Sequence, residues 1–158
     1  MPVLNEKIKE QVSEMLKDLP AAVNLTMFTQ EMECQYCKET HELVKELSGV
    51  SDKINLNVYD FQNDKDKADA LGIDKIPAIA VTGADKDYGV RFYGIPSGYE
   101  FTSLLETIKH VSNKEGGSSN QVPGNLKDIG DKVTLKVFVT PTCPYCPGAV
   151  ISAHKFAI

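Results

Sequence analysis

The sequence predicts an α/β fold around a mixed sheet, followed by the start of a second unit of the same kind. Apolar runs typical of strands alternate with segments of helical spacing through residues 1–113, which favours a parallel strand pair. A turn-rich segment then joins two late strands and predicts an antiparallel hairpin. The opening elements recur after an offset of 109 residues, as the cysteine pairs beginning at Cys34 and Cys143 show. This offset indicates duplication at the size of a domain.

The first half of the leading unit begins with a helix. Helical spacing of apolar residues predicts a helix over 5–19, and Pro20 ends it. A β-rich apolar run predicts a strand over 23–29. A second helix follows over 37–47, and Gly49 closes it.

The second half of this unit contains three predicted strands and two predicted helices. We predict a strand over 54–59 and a short charged helix over 64–71. Two strands joined by a turn follow over 79–82 and 90–93, and a final helix with an apolar face follows over 99–111.

Composition divides the chain into three parts. Residues 1–113 form a complete unit, the Gly-Gly-Ser-Ser composition predicts a linker over 114–125, and 126–158 begin a second unit. In that second part we predict a helical turn near 126–129, a strand over 133–139 and a helix after the second cysteine pair. One strand and one helix bury too little surface to be stable alone. We therefore expect this part to pack on the first unit, on another chain, or on further residues.

Bulk properties exclude several classes of function. The chain has 158 residues, of which 42% are hydrophobic and 25% are charged, as in a globular protein. Its net charge of −5 argues against a nucleic-acid surface. No apolar stretch is long enough for a membrane span, and the N-terminus lacks a signal-peptide pattern. These features predict an intracellular, cytoplasmic protein without nucleic-acid or membrane partners.

All four cysteines lie in two Cys-x-x-Cys pairs, Cys34 with Cys37 and Cys143 with Cys146. Each pair follows a predicted strand and opens a predicted helix, whose N-terminal dipole favours a thiolate, the species that attacks disulfides. In an intracellular chain such pairs indicate redox or metal chemistry. A zinc-binding or redox-responsive interaction module without turnover is the alternative. The long separation of the pairs argues against an ordinary zinc ribbon, and Pro144 suits a helix start.

These motifs together resemble a known family. The strand, the Cys34-Gln-Tyr-Cys37 pair, the helix and Ile76-Pro77 before a later strand make residues 1–113 similar to a thioredoxin fold. The second part matches over its first half, including the glutaredoxin motif Cys143-Pro-Tyr-Cys146. The whole resembles the two-unit, glutaredoxin-like protein disulfide oxidoreductases of thermophilic microbes, with the second unit incomplete. It implies a three-layer α/β fold with a mixed central sheet.

The resemblance also implies the activity and the roles of the cysteines. The chain would be a thiol–disulfide oxidoreductase acting on protein disulfides, with a thioredoxin-reductase-type flavoprotein as electron donor. Cys34 and Cys143 would be the exposed nucleophiles, and Cys37 and Cys146 would resolve the mixed disulfides. Neither a metal nor an organic cofactor is implied, since the dithiol is itself the redox centre.

Four further residues are expected to face the substrate. The resemblance implies that Pro77 follows a cis peptide bond facing the cysteines and leaves the backbone of Ile76 free to pair with an extended substrate. Tyr36 and Tyr145, inside the two motifs, either contact substrate or cover the sulfurs.

One departure from the fold's usual pattern concerns proton transfer. Many thioredoxins place a buried carboxylate beneath the cysteine pair, whereas Phe28 and Val137 fall at about that place here. Water or another acid would then accept the proton of the resolving cysteine. Glu46 is a candidate for that acid, and the alternative is an ordinary surface glutamate.

Overall fold

A four-stranded sheet with helices forms the centre of the molecule. The computed structural model describes residues 3–116 and 128–158. Its elements, in chain order, are α1 (Glu6–Leu16), β1 (Val23–Thr29), α2 (Cys37–Ser48), β2 (Ile54–Asp60), α3 (Lys65–Ala70), β3 (Ala78–Gly83), β4 (Val90–Tyr93), α4 (Tyr99–Asn113) and α5 (Cys146–Ala157). None of the helices within these ranges is long and apolar enough to cross a membrane.

The sheet is mixed, as the sequence predicts. Its strand order is β2-β1-β3-β4. Strands β1 and β2 are parallel, with Val23 opposite Ile54. Strand β3 is antiparallel to both β1 and β4, so the predicted hairpin and the predicted parallel pair are both confirmed.

The two faces of the sheet bury two apolar clusters. Because side chains alternate along a strand, Leu25 and Met27 point into the main core while Phe28 points to the other face. Apolar residues of α1, α2 and α4 complete the main core. The smaller cluster joins Phe28 to Ala68 of α3 and to Ile73. This three-layer arrangement confirms the thioredoxin-like fold class.

The first helix is shorter than predicted. It starts where expected, because the Asn5 side chain accepts a hydrogen bond from the Ile8 N–H at 2.9 Å and caps the helix. It ends at Leu16 rather than Leu19. Leu19 nevertheless belongs to the main core, so its apolar side chain is used outside the helix.

The predicted linker falls mostly outside the described residues. Residues 117–125 of the linker, and residues 126 and 127 of the predicted helical turn, lie outside the ranges that the structure describes. Lys114 follows α4 in a left-handed conformation with φ of 56°.

The strand predicted at residues 133–139 is not formed, and this prediction was wrong for the chain as it stands. These residues have no strand assignment and pair with no strand of the described sheet. Val133, Leu135 and Phe138 are 61%, 56% and 89% exposed. A strand is stabilised by backbone hydrogen bonds to a neighbour, and β propensity alone does not replace them.

Helix α5 packs on the first unit, as expected for a segment that cannot fold alone. Val150 is 5% exposed and belongs to the main core. His154 lies edge-on to the Phe92 ring with centroids 5.0 Å apart, and its Nδ1 lies 2.8 Å from the Thr107 hydroxyl oxygen. The α4 face that closes the first core therefore also supports α5.

Candidate active site

The first dithiol lies between the end of β1 and the start of α2. Cys34 and Cys37 are joined as a disulfide, with their Cα atoms 5.5 Å apart. Cys34 is partly exposed, whereas Cys37, the first residue of α2, is only 2% exposed. A partner can therefore approach Cys34 and not Cys37.

The start of α2 leaves backbone donors available near these sulfurs. Tyr36 occupies the N-cap position, and its side chain caps none of the N–H groups of the first turn. The partial positive charge of that turn favours a negative sulfur. Glu33, directly before Cys34, has a φ of 57°, which is costly for a residue with a side chain and shows how tightly the loop turns.

The Ile76–Pro77 peptide bond is cis, as the sequence predicts. Pro77 is buried, and its carbonyl accepts a hydrogen bond from the Gly94 N–H at 2.9 Å. Ala78 pairs with Phe28 in the antiparallel register of β1 and β3. Pro77 therefore enters the sheet at the edge from which the chain leaves β1 toward Cys34.

The second dithiol occupies a turn followed by α5. Cys143 and Cys146 are also joined as a disulfide with Cα atoms 5.5 Å apart, and both are partly exposed. The Cys143 N–H donates to the Thr140 carbonyl at 3.1 Å, which closes a β-turn with Pro141 at its second position. Helix α5 then begins at Cys146, with Pro147 in its first turn.

The first unit contributes directly to the surroundings of this second loop. The backbone N–H of Tyr99, the first residue of α4, donates to the Pro141 carbonyl at 3.1 Å. A shallow cleft of about 360 Å³ lies at this contact, lined by Gly98, Tyr99, Thr102, Pro141 and Thr142. Sequence reasoning missed this contact. The only signal in the chain is a glycine at the N-cap of a helix, which is too common to indicate it.

Glu46 is held by the N-terminal segment. Its carboxylate accepts hydrogen bonds from the N–H groups of Val3 at 2.7 Å and Leu4 at 3.1 Å, and lies 3.4 Å from the Lys9 ammonium. Burial alone would raise the pKa of Glu46, but these partners lower it below its ordinary value. The contacts make Glu46 a structural anchor of the segment before α1. Phe28, at the place of the usual acid, is completely buried among apolar residues.

The two tyrosines of the motifs are open to solvent. Tyr36 is 47% exposed and Tyr145 is 87% exposed. Within residues 3–116 and 128–158, no three His, Cys, Asp or Glu side chains gather so that they could hold a metal ion.

Two histidines lie where α4 and α5 meet. Burial, together with a smaller effect of the nearby His110, lowers the pKa of His154 to about 4. Burial also lowers the pKa of His110, as does Lys155. Both are therefore mainly neutral at pH 7 and act in packing.

Solved structures of similar fold include redox proteins. A protein disulfide oxidoreductase from Aeropyrum pernix is 31% identical, with a TM-score of 0.89, and the match covers 98% of this chain and 68% of that one. The alkylhydroperoxide reductase protein AhpF of Enterococcus faecalis is 25% identical, with a TM-score of 0.82, over 98% of this chain and 74% of that one. No family model matches the sequence.

The curated relatives are much longer proteins. A Bacillus subtilis protein named NADH dehydrogenase is 27% identical over 99% of this chain, and the alkyl hydroperoxide reductase protein AhpF of Staphylococcus aureus is 26% identical over the same share. The chain spans 28% of the length of each.

Proposed function

Since this chain belongs to the protein disulfide oxidoreductases of thioredoxin-like fold, we propose that its two dithiols exchange electrons with disulfides of other proteins. The observation that carries this proposal is the difference in exposure between a partly open Cys34 and a buried Cys37 at the start of α2. This difference suits a nucleophile that meets substrate and a second thiol that acts afterwards.

The exchange conserves atoms and transfers two electrons. The Cys34 thiolate attacks one sulfur of a protein disulfide, forms a mixed disulfide and releases the other substrate sulfur as a thiolate, which takes up a proton. The Cys37 thiolate then attacks the Cys34 sulfur and releases the second substrate thiol. The substrate disulfide is reduced to two thiols, and the Cys34–Cys37 dithiol is oxidised to a disulfide. Cys143 and Cys146 perform the same steps at the second site.

The substrate chain binds around these sulfurs. Tyr36 and Tyr145 offer it exposed aromatic surface, which supports contact with substrate over shielding of the sulfurs. Ile76, before the cis Pro77, pairs through its backbone with an extended segment that carries the substrate cysteine.

We further propose the division into a complete unit at 1–113, a linker at 114–125 and the start of a second unit at 126–158. The exposed apolar side chains of residues 133–139 support it, because a strand of this composition is stabilised once a neighbouring strand pairs with it. Helix α5 follows the second cysteine pair in the chain as α2 follows the first.

The dithiols are regenerated by a cytoplasmic reductant. A flavoprotein of the thioredoxin-reductase type returns two electrons to each disulfide, and the cycle needs neither a metal nor an organic cofactor bound to this chain. The names of the curated relatives, NADH dehydrogenase and alkyl hydroperoxide reductase, are those of redox proteins, which supports a place in electron transfer.

Reduction of insulin disulfides by dithiothreitol tests the function. The chain is expected to accelerate the precipitation of insulin B chain with no zinc in the protein by metal analysis. Cys34→Ser with Cys37→Ser, and Cys143→Ser with Cys146→Ser, assign the rate to each site, and the variant lacking all four cysteines is the control. Stoichiometric zinc with no acceleration would instead favour a metal-binding module.

A further inference from the structure

The turn that carries Cys143 is attached to the first unit by one backbone hydrogen bond. Pro141 lies two residues before Cys143, and its carbonyl accepts from the N–H of Tyr99 at the start of α4. Gly98 makes this approach possible. Its φ is 60°, and a Cβ at position 98 would overlap the Pro141 carbonyl oxygen and lie 3.1 Å from the carbonyl carbon. A residue with a side chain therefore fits position 98 only if the turn moves.

The corresponding turn of the first dithiol is held in another way. At the offset between the two cysteine pairs, Met32 corresponds to Pro141 and Gln30 to Val139. The Met32 carbonyl accepts from the Gln30 side-chain amide at 2.6 Å, so that loop supplies its own donor. Val139 has no side-chain donor. The equivalent carbonyl of the second turn depends on Tyr99 of the first unit instead.

Helix α4 also holds the element that follows the second dithiol. Thr107 lies two turns after Tyr99 on α4, and its hydroxyl oxygen lies 2.8 Å from Nδ1 of His154 on α5. The Thr107 hydroxyl also donates to the Ser103 carbonyl at 2.7 Å, which leaves its lone pairs to accept from the His154 Nδ1–H. The second Cys-x-x-Cys segment is therefore held by α4 on both sides, through Pro141 before it and α5 after it.

We propose that Gly98 and Tyr99 are positioning residues for the second dithiol, and that the Tyr99 N–H raises the reduction potential of the Cys143–Cys146 pair. A role of this potential in turnover rests on the proposed function, whereas the effect of the Tyr99 N–H on the potential does not depend on that function. Without the donor, the negative end of the Pro141 carbonyl lies two residues from Cys143 with no compensating N–H. A thiolate at Cys143 is then less stable, and the equilibrium moves toward the disulfide.

Substitution of Tyr99 separates the N–H from the side chain. Tyr99 is the first residue of α4, where proline is well tolerated, so Tyr99→Pro keeps the helix start. It removes the donor and directs its ring Cδ at the Pro141 carbonyl oxygen, so the hydrogen bond is lost and the turn is displaced. Tyr99→Ala removes the same side chain and keeps the N–H, and is the matched control. The two Tyr99 variants are made in a chain with Cys34→Ala and Cys37→Ala, so that the second dithiol is measured alone. The two Tyr99 variants are also made in a chain with Cys143→Ala and Cys146→Ala, which reports on the first dithiol.

The readout is the equilibrium of each dithiol with reduced and oxidised glutathione, in which dithiol and oxidised glutathione give disulfide and two reduced glutathiones. Relative to Tyr99→Ala, Tyr99→Pro is expected to change the equilibrium constant of the second pair about threefold or more in favour of the disulfide, the size expected for loss of one hydrogen bond. The first pair is expected to stay unchanged. Gly98→Ala is expected to shift the second pair toward the disulfide as Tyr99→Pro does. Gly72→Ala is the control and is expected to cause no such shift, because Gly72 also has a positive φ, of 65°, but nothing lies within 4 Å of an added Cβ.

Equal potentials of the second pair in Tyr99→Pro and Tyr99→Ala would overturn the proposal, as would equal shifts of both dithiols, which would indicate general destabilisation. The glutathione equilibrium is measurable whether or not the chain reduces a protein. Failure of the insulin assay would therefore contradict the proposed function and leave this test decisive.

Discussion

The two thiols of the first site differ in exposure, and this difference predicts their order of action. Cys37 is almost inaccessible at the first residue of α2, and Cys34 is partly open in the loop before it. Attack on an external disulfide requires an accessible thiol, whereas resolution requires only that the second thiol reaches the first across two residues. Geometry at this level therefore supports the division of labour that the motif implies.

Substitution of single cysteines checks this order. With the second pair replaced by serine, Cys34→Ser is expected to abolish turnover. Cys37→Ser is expected to accumulate a mixed disulfide with a protein substrate, because the nucleophile remains and resolution is lost. Non-reducing gels with mass spectrometry detect the adduct. An adduct formed by Cys34→Ser and not by Cys37→Ser would reverse the assignment.

The charges near Cys34 and Cys143, the two proposed nucleophiles, predict a difference in thiol pKa. Glu31, Glu33 and Glu39 are exposed around Cys34, with Lys38 in partial compensation, whereas Cys143 has Thr140, Pro141 and Thr142 before it. Negative neighbours disfavour a thiolate, so we expect Cys143 to have the lower pKa and its pair to be the more oxidising. Solvent screening of these exposed charges keeps the difference in pKa modest. Thiolate absorbance against pH on the two single-site variants measures it, and a lower pKa at Cys34 contradicts it.

Helices α4 and α5 form a contact that is sensitive to acid. His154 is partly buried between Phe92 and Thr107, and its pKa is about 4 against an ordinary value of 6.5. The unfolded chain therefore binds more protons than the folded chain between these pH values. The stabilisation from neutral His154 is complete above pH 6.5 and is lost as the pH falls toward 4.

His154→Asn is expected to reduce this acid sensitivity, because asparagine can keep a hydrogen bond to Thr107 and does not titrate. The loss of unfolding free energy between pH 7 and pH 4.5 should shrink by up to about 3 kcal/mol. His110, whose pKa burial also lowers, and carboxylates with a lowered pKa such as Glu46 contribute to the pH dependence that remains. Urea unfolding at several pH values provides the measurement, with His41→Asn as the control. An unchanged slope in His154→Asn would refute the assignment.

At the level of the molecule, residues 128–158 have no core of their own. Their one buried apolar residue, Val150, belongs to the core of the first unit, and the apolar side chains at 133, 135 and 138 are exposed. The first unit has the complete sheet and two clusters within residues 3–116. Stability is therefore unequal along the chain, and α5 depends on α4.

Two fragments make this dependence measurable. A peptide of residues 128–158 is expected to show little helix by circular dichroism, since twelve residues of α5 are marginal in water without packing. A chain ending at residue 116 is expected to keep a cooperative unfolding transition at a lower midpoint, because Val150 no longer covers the core. A helical, cooperatively unfolding peptide would contradict the inference.

Local patterns were sufficient for much of the first unit. Strands β1 and β4 run over the predicted residues, and the cis bond before Pro77 is the one that the resemblance to the thioredoxin fold implies. Both Cys-x-x-Cys pairs stand at helix starts, as their sequence contexts indicate. Apolar periodicity, helix-ending residues and short motifs involve residues that are close together in the chain, so they can be recognised from the sequence alone.

The features that the sequence did not predict depend on contacts between segments that are distant in the chain. Residues 133–139 have strand composition and form no strand, because pairing requires a neighbour that composition cannot supply. The carboxylate of Glu46 binds the backbone near Val3, more than forty residues earlier, and so anchors a terminus instead of serving the cysteines. The Tyr99 N–H meets the Pro141 carbonyl only because α5 docks on α4. Every residue except proline carries the same backbone donor and acceptor, so the sequence does not indicate which two of these groups will form a hydrogen bond. Packing decides it by bringing them together.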